Sequence, residues 1–285
     1  MITKKIETAK TLLDALPYIK QYRNEIFVIK YGGSAQINPD LKEKFAQDII
    51  LLYLVGIKPV VVHGGGNRIN AMLEKLQLGS EFVDGMRVTT EEVMEVVEMV
   101  LSGSINKEIT TLLNLHGGKA LGISGKDANF IVAEPKANGK YGLVGEIVNI
   151  DNKVIDNLIQ EGFIPVIAPI GSGDTINHPG FNINADLAAS KIAGKLNAKK
   201  ILFMTDIVGV LDKEKNLLET LTEQEIENLK ADGTIHGGMI PKVDACLEAV
   251  DAGVEKAHII DGRVEHSILL EIFTSDGVGT VIKKA

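Results

Sequence analysis

The chain has 285 residues, of which 45% are apolar and 24% charged, a composition typical of globular proteins rather than of disordered or fibrous chains. A net charge of -8 and an aromatic content of 5%, without tryptophan, oppose a role in nucleic-acid binding. The single cysteine, Cys246, excludes a disulfide framework and cysteine-ligated zinc, and we expect a buried, inert thiol. No apolar run approaches the ~20 residues of a membrane span, and the N-terminus resembles neither a signal nor a transit peptide, so we expect a cytoplasmic protein.

The first predicted element is an amphipathic helix over residues 3–20. Its apolar residues recur at helical spacing: Ile6, Ala9, Leu12, Leu13, Leu16 and Ile19. Such a stripe must pack against something, and a separate helix ahead of the first strand is a natural partner for another subunit.

Strand, glycine loop and helix then alternate along the chain. A strand at 25–30 ends in Gly32-Gly33, and a strand at 58–63 ends in Gly64-Gly65-Gly66. This alternation predicts a mostly parallel sheet covered by helices on both faces. Ligands of such sheets collect at the carboxyl ends of the strands, where both glycine loops lie.

The later elements continue the alternation, with a hairpin-rich excursion at 127–150. The helices are predicted at 41–54, from Asn67 onwards, at 91–115 with an interruption at Gly103, and at 187–196, 223–230, 242–251 and 268–273. The strands are predicted at 119–124, 163–170, 200–205, 257–260 and 279–282.

The chemistry-bearing residues are lysines beside glycines rather than a known phosphate signature. The motifs G-x-x-x-x-G-K-[ST], G-x-G-x-x-G, H-R-D and G-x-S-x-G are all absent. Lys30 precedes Gly32-Gly33, Lys242 follows Gly237-Gly238, and the amides of Gly64-Gly65-Gly66 could hold an anion before a helix. Lysines and amides without a base suit phosphoryl transfer to a carboxylate, because that acceptor needs no deprotonation.

Each feature also has a plainer interpretation. Lys30 could be a solvated strand end, the triple glycine a tight connection, Arg87 a surface arginine and Asp186 a helix cap. Their order along the chain favours the functional interpretation.

Six segments, in order, closely resemble the motifs of the amino acid kinase family, and within it the branch that phosphorylates N-acetyl-L-glutamate. The resemblance extends from about residue 25 to the C-terminus. The segments are Val28-Ile-Lys30-Tyr-Gly32-Gly33, Val62-His63-Gly64-Gly65-Gly66, Gly85-Met-Arg87-Val-Thr89, Phe181-Asn182-Ile-Asn184-Ala-Asp186, Thr205-Asp206-Ile-Val-Gly209-Val-Leu211-Asp212 and Gly237-Gly238-Met239-Ile-Pro-Lys242.

The resemblance implies an α/β fold, a three-layer αβα sandwich whose mostly parallel central sheet is continuous across two lobes. Residues 1–24 would form an N-terminal oligomerisation helix, 25–194 the acyl-substrate-binding lobe and 195–285 the ATP-binding lobe. The implied reaction converts ATP and N-acetyl-L-glutamate to ADP and N-acetyl-L-glutamyl 5-phosphate, a step of arginine biosynthesis. Mg²⁺ would be held largely by the phosphates of the nucleotide.

The site residues follow from the matching motifs. Lys30 and Lys242 would stabilise charge on the phosphoryl group in flight, and Asp186 would hold both lysines. Gly65 and Gly66 would line the acceptor and phosphate site, while Arg87 and Asn182 would hold the α-carboxylate of the substrate. The nucleotide pocket would be lined by Gly32, Gly33, Thr205, Asp206, Gly209, Leu211, Gly238 and Met239.

The C-terminal segment resembles the signature of the arginine-inhibited branch of the family. It reads Gly262-Arg263-Val-Glu-His266-Ser-Ile-Leu-Leu270-Glu271-Ile-Phe-Thr274, followed by Gly277-Val-Gly279-Thr280. The resemblance implies a hexamer, a trimer of dimers linked through the N-terminal helices. L-Arginine would be an inhibitor held by Glu271 and Gly279, with Lys200 a weaker candidate. A docking nitrogen-signalling protein is left open.

Alternatives remain within and outside this branch. An aspartate kinase or glutamate 5-kinase is disfavoured, because the chain ends at Ala285 without room for their extra C-terminal domains. A kinase of the aminoadipate branch of lysine biosynthesis shares most of the motifs. An inactive amino-acid sensor is opposed by the intact Lys30, Asp186 and Lys242. The loop 173–180 looks less usual for the family, which leaves its contribution to substrate contacts open.

Overall fold

The strands give the frame on which the site is built. The computed structural model describes residues 2–284, and its strands in chain order are β1 (Ile26–Tyr31), β2 (Lys58–His63), β3 (Phe82–Val83), β4 (Met86–Arg87), β5 (Ala120–Ser124), β6 (Ile131–Pro135), β7 (Gly145–Ile150), β8 (Ile164–Ala168), β9 (Ile170–Gly171), β10 (Phe181–Asn182), β11 (Lys200–Thr205), β12 (Thr220–Thr222), β13 (Lys256–Asp261) and β14 (Thr280–Lys283).

Eight strands form one sheet in the order β12-β14-β13-β11-β1-β2-β8-β5. The six strands from β13 to β5 are parallel, whereas β14 pairs antiparallel with β13 and β12 pairs parallel with β14. Short antiparallel pairs, β3–β4, β6–β7 and β9–β10, lie outside this sheet. Because β1 pairs with β11, the sheet is continuous between the two predicted lobes, as expected.

Helices cover both faces of the sheet. They are α1 (Ile2–Tyr22), α2 (Pro39–Leu54), α3 (Gly66–Lys75), α4 (Glu91–Glu98), α5 (Asn106–Leu115), α6 (Lys153–Gln160), α7 (Ala185–Lys195), α8 (Glu223–Ala231), α9 (Ile240–Asp251) and α10 (Ser267–Phe273). Side chains of β1 alternate between two cores: Val28 packs with α7 and α9, and Phe27 and Ile29 pack with α2 and α10. The predicted αβα sandwich is confirmed.

The structure refines the predicted elements in two places. The interruption expected at Gly103 is a π-helical segment, Met99–Ile105, between α4 and α5. The strand expected at 163–170 is broken, because Pro169 has no N–H for a sheet hydrogen bond and separates β8 from β9. The hairpin-rich excursion is the β6–β7 pair.

The N-terminal helix α1 packs against α10 and leaves its predicted apolar stripe uncovered by the chain. Ile6, Leu12 and Leu13 are 51%, 69% and 63% exposed, whereas Tyr22 at its end is buried against Phe27. Within residues 2–284, no helix has the length and apolar character needed to cross a membrane.

Candidate active site

Loops at the carboxyl ends of β1, β2, β8 and β11 line one open cleft with a cavity volume of about 480 Å³. Loops of neighbouring parallel strands meet at this edge, as the sequence predicted. Most of the predicted site residues line the cleft: Lys30, Gly32, Gly33, Gly65, Gly66, Arg87, Asn182, Asp186, Thr205, Asp206 and Lys242.

Lys30, Asp186 and Lys242 form one charged cluster in this cleft. Lys30 Nζ lies 2.8 Å from Asp186 Oδ1, and Lys242 Nζ lies 4.0 Å from Asp186 Oδ2. Burial raises the pKa of the Asp186 carboxyl, but the charges of Lys30 and Lys242 outweigh burial, so this pKa lies below its ordinary value. The carboxylate therefore stays ionised and holds two cations side by side.

Two members of the charged cluster, Asp186 and Lys242, lie at the beginnings of helices. Asn184 caps α7, its side chain accepting hydrogen bonds from the amides of Asp186 and Leu187 at 2.9 and 3.2 Å. Asp186 thus lies in the first turn of α7, and Lys242 lies in the first turn of α9, after Pro241. The cap of α7 is therefore Asn184, and not Asp186 as the plainer interpretation of that residue would have it.

The first glycine loop is fixed by Asp206. The amide of Ser34 donates to Asp206 Oδ1 at 2.7 Å. Gly33 has φ +69°, and a Cβ there would lie 2.6 Å from the same oxygen. Asp206 therefore anchors the turn after β1 as well as lining the cleft, and Gly33 is required by both conformation and space.

The second glycine loop lies under the π-helical segment. A Cβ at Gly65 would lie 2.5 Å from Ile105 Cδ1 and 2.6 Å from Leu101 Cδ2. Nothing lies within 4 Å of the corresponding position at Gly66, which begins α3. Packing therefore requires glycine at 65, whereas the first-turn amides of α3 stay free of intrahelical acceptors.

Arg87 is a buried cation held by neutral groups. Its guanidinium donates to Ser80 Oγ, to Asn70 Oδ1 at 2.6 Å and to the Gly66 carbonyl at 3.4 Å, and it stacks on the Phe82 ring at 4.7 Å. Burial lowers the pKa of Arg87, which stays charged. Among residues 2–284 no carboxylate forms an ion pair with it, so an incoming anion would neutralise this charge.

Asn182 is the last residue of β10 and lines the same cleft as Arg87. Its side-chain Nδ2 donates to Thr89 Oγ1 at 3.2 Å, and its backbone N–H donates to the Leu143 carbonyl at 2.9 Å. These contacts fix a neutral side-chain amide in the cleft.

Three of the four remaining predicted nucleotide residues line an adjoining cavity of about 450 Å³, which shares Asp206 with the cleft. Leu211 and Met239 line it, together with Gly209. A Cβ at Gly209 would lie 2.6 Å from atoms of both Leu217 and Thr280, so packing by itself requires this glycine. Gly238 lines neither cavity and lies in the turn Gly237–Met239 ahead of α9.

Sequence reasoning missed several residues that line the cleft, of which Lys136 is the most informative; the others include Gln36, Asn67 and Arg68. Lys136 follows β6 in the hairpin and is half-buried. In the described chain it has no ion pair and no side-chain hydrogen bond, whereas Lys140 of the same hairpin pairs with Asp84 at 2.7 Å. No local pattern distinguishes the two lysines, because their directions depend on the hairpin fold.

The predicted regulatory residues lie away from the cleft, beside the end of α1. Glu271 is buried; its Oε1 lies 2.6 Å from His258 Nδ1, and its Oε2 accepts from the amides of Val278 and Gly279 at 2.7 and 3.1 Å. Burial raises the pKa of Glu271, but the His258 hydrogen bond and charge outweigh it, giving a pKa below the ordinary value. Glu271 and Gly279 are therefore in direct contact with each other.

Lys200 belongs to the same cluster. Its ammonium lies 4.9 Å from the centre of the Tyr22 ring, and burial lowers the pKa of Lys200 to about 8. The end of α1 thus covers this lysine directly.

Histidine, cysteine, aspartate and glutamate side chains are the usual protein ligands of a metal ion. Within residues 2–284, no group of three or more His, Cys, Asp and Glu side chains is arranged to hold a metal ion. The thiol of Cys246 is buried, as expected, and burial raises its pKa well above the ordinary value.

Comparisons with known proteins cover nearly the whole chain. Residues 25–261 match the model of the amino acid kinase family. An acetylglutamate kinase of Nitratiruptor sp. is 68% identical over 279 residues, covering 98% of each chain. One of Sulfurimonas denitrificans is 65% identical over 279 residues, covering 98% of this chain and 99% of that protein.

A solved structure extends the comparison to the fold. The N-acetylglutamate synthase from Neisseria gonorrhoeae, complexed with coenzyme A and N-acetyl-glutamate, matches with a TM-score of 0.85 at 24% identity. The match covers 97% of this chain and 63% of the synthase, so this chain corresponds to part of that protein.

Proposed function

The chain belongs to the amino acid kinase family, as a phosphotransferase with a carboxyl group as acceptor, and we propose that its acceptor is the side chain of N-acetyl-L-glutamate. The reaction transfers the γ-phosphoryl group of ATP to that carboxylate and yields N-acetyl-L-glutamyl 5-phosphate and ADP. The product belongs to arginine biosynthesis. Mg²⁺ enters as part of the MgATP co-substrate.

The observation that carries this proposal is the cluster in which Asp186 holds Lys30 and Lys242 at 2.8 and 4.0 Å. Phosphoryl transfer spreads negative charge over the oxygens of the transferring phosphoryl group. Catalysis is therefore mostly positioning and charge stabilisation. Two ammonium groups fixed on one carboxylate are preorganised for this charge. Free amides of the Gly65 and Gly66 loop supply further donors.

No proton acceptor is required for a carboxylate nucleophile. The residues that line the cleft in the described chain include no histidine and no glutamate. Of its two aspartates, Asp186 is held by two lysines and Asp206 accepts from the Ser34 amide. An ionised acceptor oxygen attacks the γ-phosphorus, the bond to the β,γ-bridging oxygen breaks, and that electron pair leaves on ADP.

Arg87 supports an amino-acid derivative as the acceptor. Its guanidinium is buried among neutral partners, and an α-carboxylate would supply the missing negative charge through a two-donor contact. We assign Asn182 to the same substrate, so residues 25–194 form the acyl-substrate lobe and 195–285 the ATP lobe. Thr205, Asp206 and the cavity beside them receive the nucleotide in this assignment.

Regulation by L-arginine and hexamer assembly belong to the same proposal. The uncovered apolar stripe of α1 supports contact with another subunit, and the buried Lys200 and Glu271 beside its end support a site linked to that contact. The hexamer is a trimer of dimers joined through α1. A cytoplasmic location and a nitrogen-signalling partner stay predictions from the sequence.

The competing acceptor is a carrier-linked aminoadipate of lysine biosynthesis, and an acyl-phosphate assay separates the two. Hydroxylamine traps acyl phosphates as hydroxamates, so product is measured with N-acetyl-L-glutamate, L-glutamate, N-acetyl-L-aspartate and carrier-linked aminoadipate. We expect N-acetyl-L-glutamate to give the highest kcat/KM. A higher value with carrier-linked aminoadipate would replace the proposed substrate.

A further inference from the structure

The carbonyl group of Gly64 is fixed by two side chains. His63 Nδ1 lies 3.0 Å from this oxygen, and Gln36 Nε2 donates to it at 3.2 Å. The amide of Gly64 donates to the Tyr31 carbonyl at 2.9 Å, which joins the loop to the end of β1. The two peptide groups on either side of Gly64 are thus both held, the following one through its carbonyl and the preceding one through its N–H.

Fixing this carbonyl also fixes the amide of Gly65, because both belong to one planar trans peptide unit. In such a unit the N–H points opposite to the C=O. The Gly65 N–H therefore points away from the buried His63 ring, on a loop that lines the cleft. Within the described chain the Gly65 amide donates to no acceptor, so it is free for a substrate anion.

The tautomer of His63 follows from its neighbours. A carbonyl oxygen only accepts hydrogen bonds, so Nδ1 carries the proton that meets Gly64. His63 Nε2 lies 3.2 Å from Asn106 Nδ2 and accepts from it. The Asn106 amide cannot be reversed, because its Nδ2 also donates to the Val166 carbonyl at 2.8 Å and its Oδ1 accepts from Lys107 at 2.9 Å.

Close packing holds the His63 ring and the Asn106 side chain in this arrangement. His63 and Asn106 are fully buried, and a Cβ at Gly122 would lie 1.9 Å from Asn106 Oδ1. Burial also lowers the pKa of His63 to about 4, consistent with a neutral ring. Asn106 directly follows the π-helical segment whose Leu101 and Ile105 press on Gly65.

We propose that His63, as the neutral Nδ1–H tautomer held by Asn106, is a positioning residue that aims the Gly65 amide at the transferring phosphoryl group. This inference rests on the proposed function for the identity of the anion. His63 acts through the peptide group and touches neither substrate, so it neither donates nor accepts a proton during the reaction.

The first test uses the wild-type protein and needs no reaction. Nitrogen-15 NMR of the His63 ring distinguishes a protonated Nδ1 from a protonated Nε2. We expect the Nδ1–H tautomer, without titration, from pH 5 to pH 9. A protonated Nε2, or titration within that range, would overturn the proposal even if the kinase assignment holds.

The second test compares two replacements of the ring. In His63→Asn the amide nitrogen occupies nearly the place of Nδ1 and keeps a donor for the Gly64 carbonyl, whereas His63→Leu removes it. We expect His63→Leu to lower kcat roughly 10- to 100-fold, less than outright loss of a transition-state donor, with the Kd of an ATP analogue unchanged. His63→Asn should recover most of this loss. Equal kcat values for the two folded variants would overturn the proposal.

A matched control lies on the same helix. Asn106→Leu should lower kcat as His63→Leu does, because it releases the ring. Asn114, whose side chain bonds the backbone of Ala120 at 2.7 and 3.1 Å, lies eight residues further along and away from the loop. Asn114→Leu should lower the thermal midpoint and leave kcat unchanged. Equal loss of kcat in both asparagine variants would indicate a purely structural role and contradict the proposal.

Discussion

The charge balance of the cleft depends on Asp186, because one carboxylate faces two lysines. The contacts are unequal: Lys30 lies 2.8 Å away with its side chain 12% exposed, and Lys242 lies 4.0 Å away and 27% exposed. The looser Lys242 has more freedom to follow a phosphoryl group, whereas Lys30 is held at the strand end. Both ammonium groups are nevertheless oriented before substrate arrives.

Removing either lysine should slow the chemical step. We expect Lys30→Ala and Lys242→Ala each to lower kcat by about 10²–10³, the range for one preorganised donor, with a smaller change in KM for N-acetylglutamate. Steady-state kinetics at saturating substrates measure this. A variant that retains more than about half of the wild-type kcat would remove its lysine from the mechanism.

Lys136 gives a second prediction at the residue scale. An unpaired, half-buried cation that lines the cleft gains a partner when an anionic acceptor binds. Lys136→Met should therefore raise KM for N-acetylglutamate about 10-fold, equivalent to ~1.4 kcal/mol, and leave KM for ATP nearly unchanged.

Lys140→Met is the matched control, because Lys140 lies on the same hairpin and pairs with Asp84 outside the cleft. It should leave both KM values unchanged. A raised KM for ATP alone in Lys136→Met would place this lysine at the nucleotide instead.

At the scale of elements, α7 and α9 hold the charged cluster of Lys30, Asp186 and Lys242 together. Ser190 Oγ on α7 donates to the Ala245 carbonyl on α9 at 2.7 Å. A Cβ at Gly194 would lie 2.5 Å from the Cβ of Ala252, so the two helices approach closely where α7 ends. Because Asp186 and Lys242 occupy the first turns of these helices, their separation follows from this packing.

A helix or strand can be predicted from the sequence when its hydrophobic pattern lies within the element itself. The strand predicted at 25–30 and the helix predicted at 41–54 correspond to β1 and α2, because an apolar run and a helical periodicity lie within the segments themselves. The pairs β3–β4 and β9–β10 are not predicted, because a strand of two residues is too short to show an alternating pattern. The π-helical segment Met99–Ile105 packs against Gly65, a contact between distant parts of the sequence that no local pattern indicates.

Helix α1 gives a prediction at the element scale. Tyr22 is buried against Phe27 and Lys200, so a cut ahead of Pro17 spares the core and leaves proline at a favoured helix start. A variant lacking residues 1–16 should form dimers that phosphorylate N-acetylglutamate but respond weakly to L-arginine. Light scattering and inhibition curves measure the two effects.

The full-length variant Leu12→Glu/Leu13→Glu controls for the truncation, since it charges the exposed stripe without shortening the helix. It should also form dimers. A wild-type dimer, or wild-type activity indifferent to millimolar L-arginine, would refute the regulatory part of the proposal and leave the kinase assignment intact.

At the scale of the whole molecule, one continuous sheet brings residues from distant parts of the chain to a single edge. The sequence identified Lys30, Asp186 and Lys242 through motif order, and the parallel topology explains why they meet. The sequence could not indicate that Asp206 anchors the Ser34 amide or that Lys136 lines the cleft. Those features depend on side-chain directions that only the assembled loops determine.

The central claim is that a side-chain carboxylate oxygen of the acceptor becomes bonded to the γ-phosphorus. It is tested most directly with N-acetyl-L-glutamate labelled with ¹⁸O in that carboxylate. Hydroxylamine attacks the carbonyl carbon of the acyl phosphate, the C–O bond breaks, and the bridging oxygen leaves with phosphate. Phosphorus-31 NMR should show one ¹⁸O atom in each phosphate released. Unlabelled phosphate formed at the rate of ATP consumption would contradict the account.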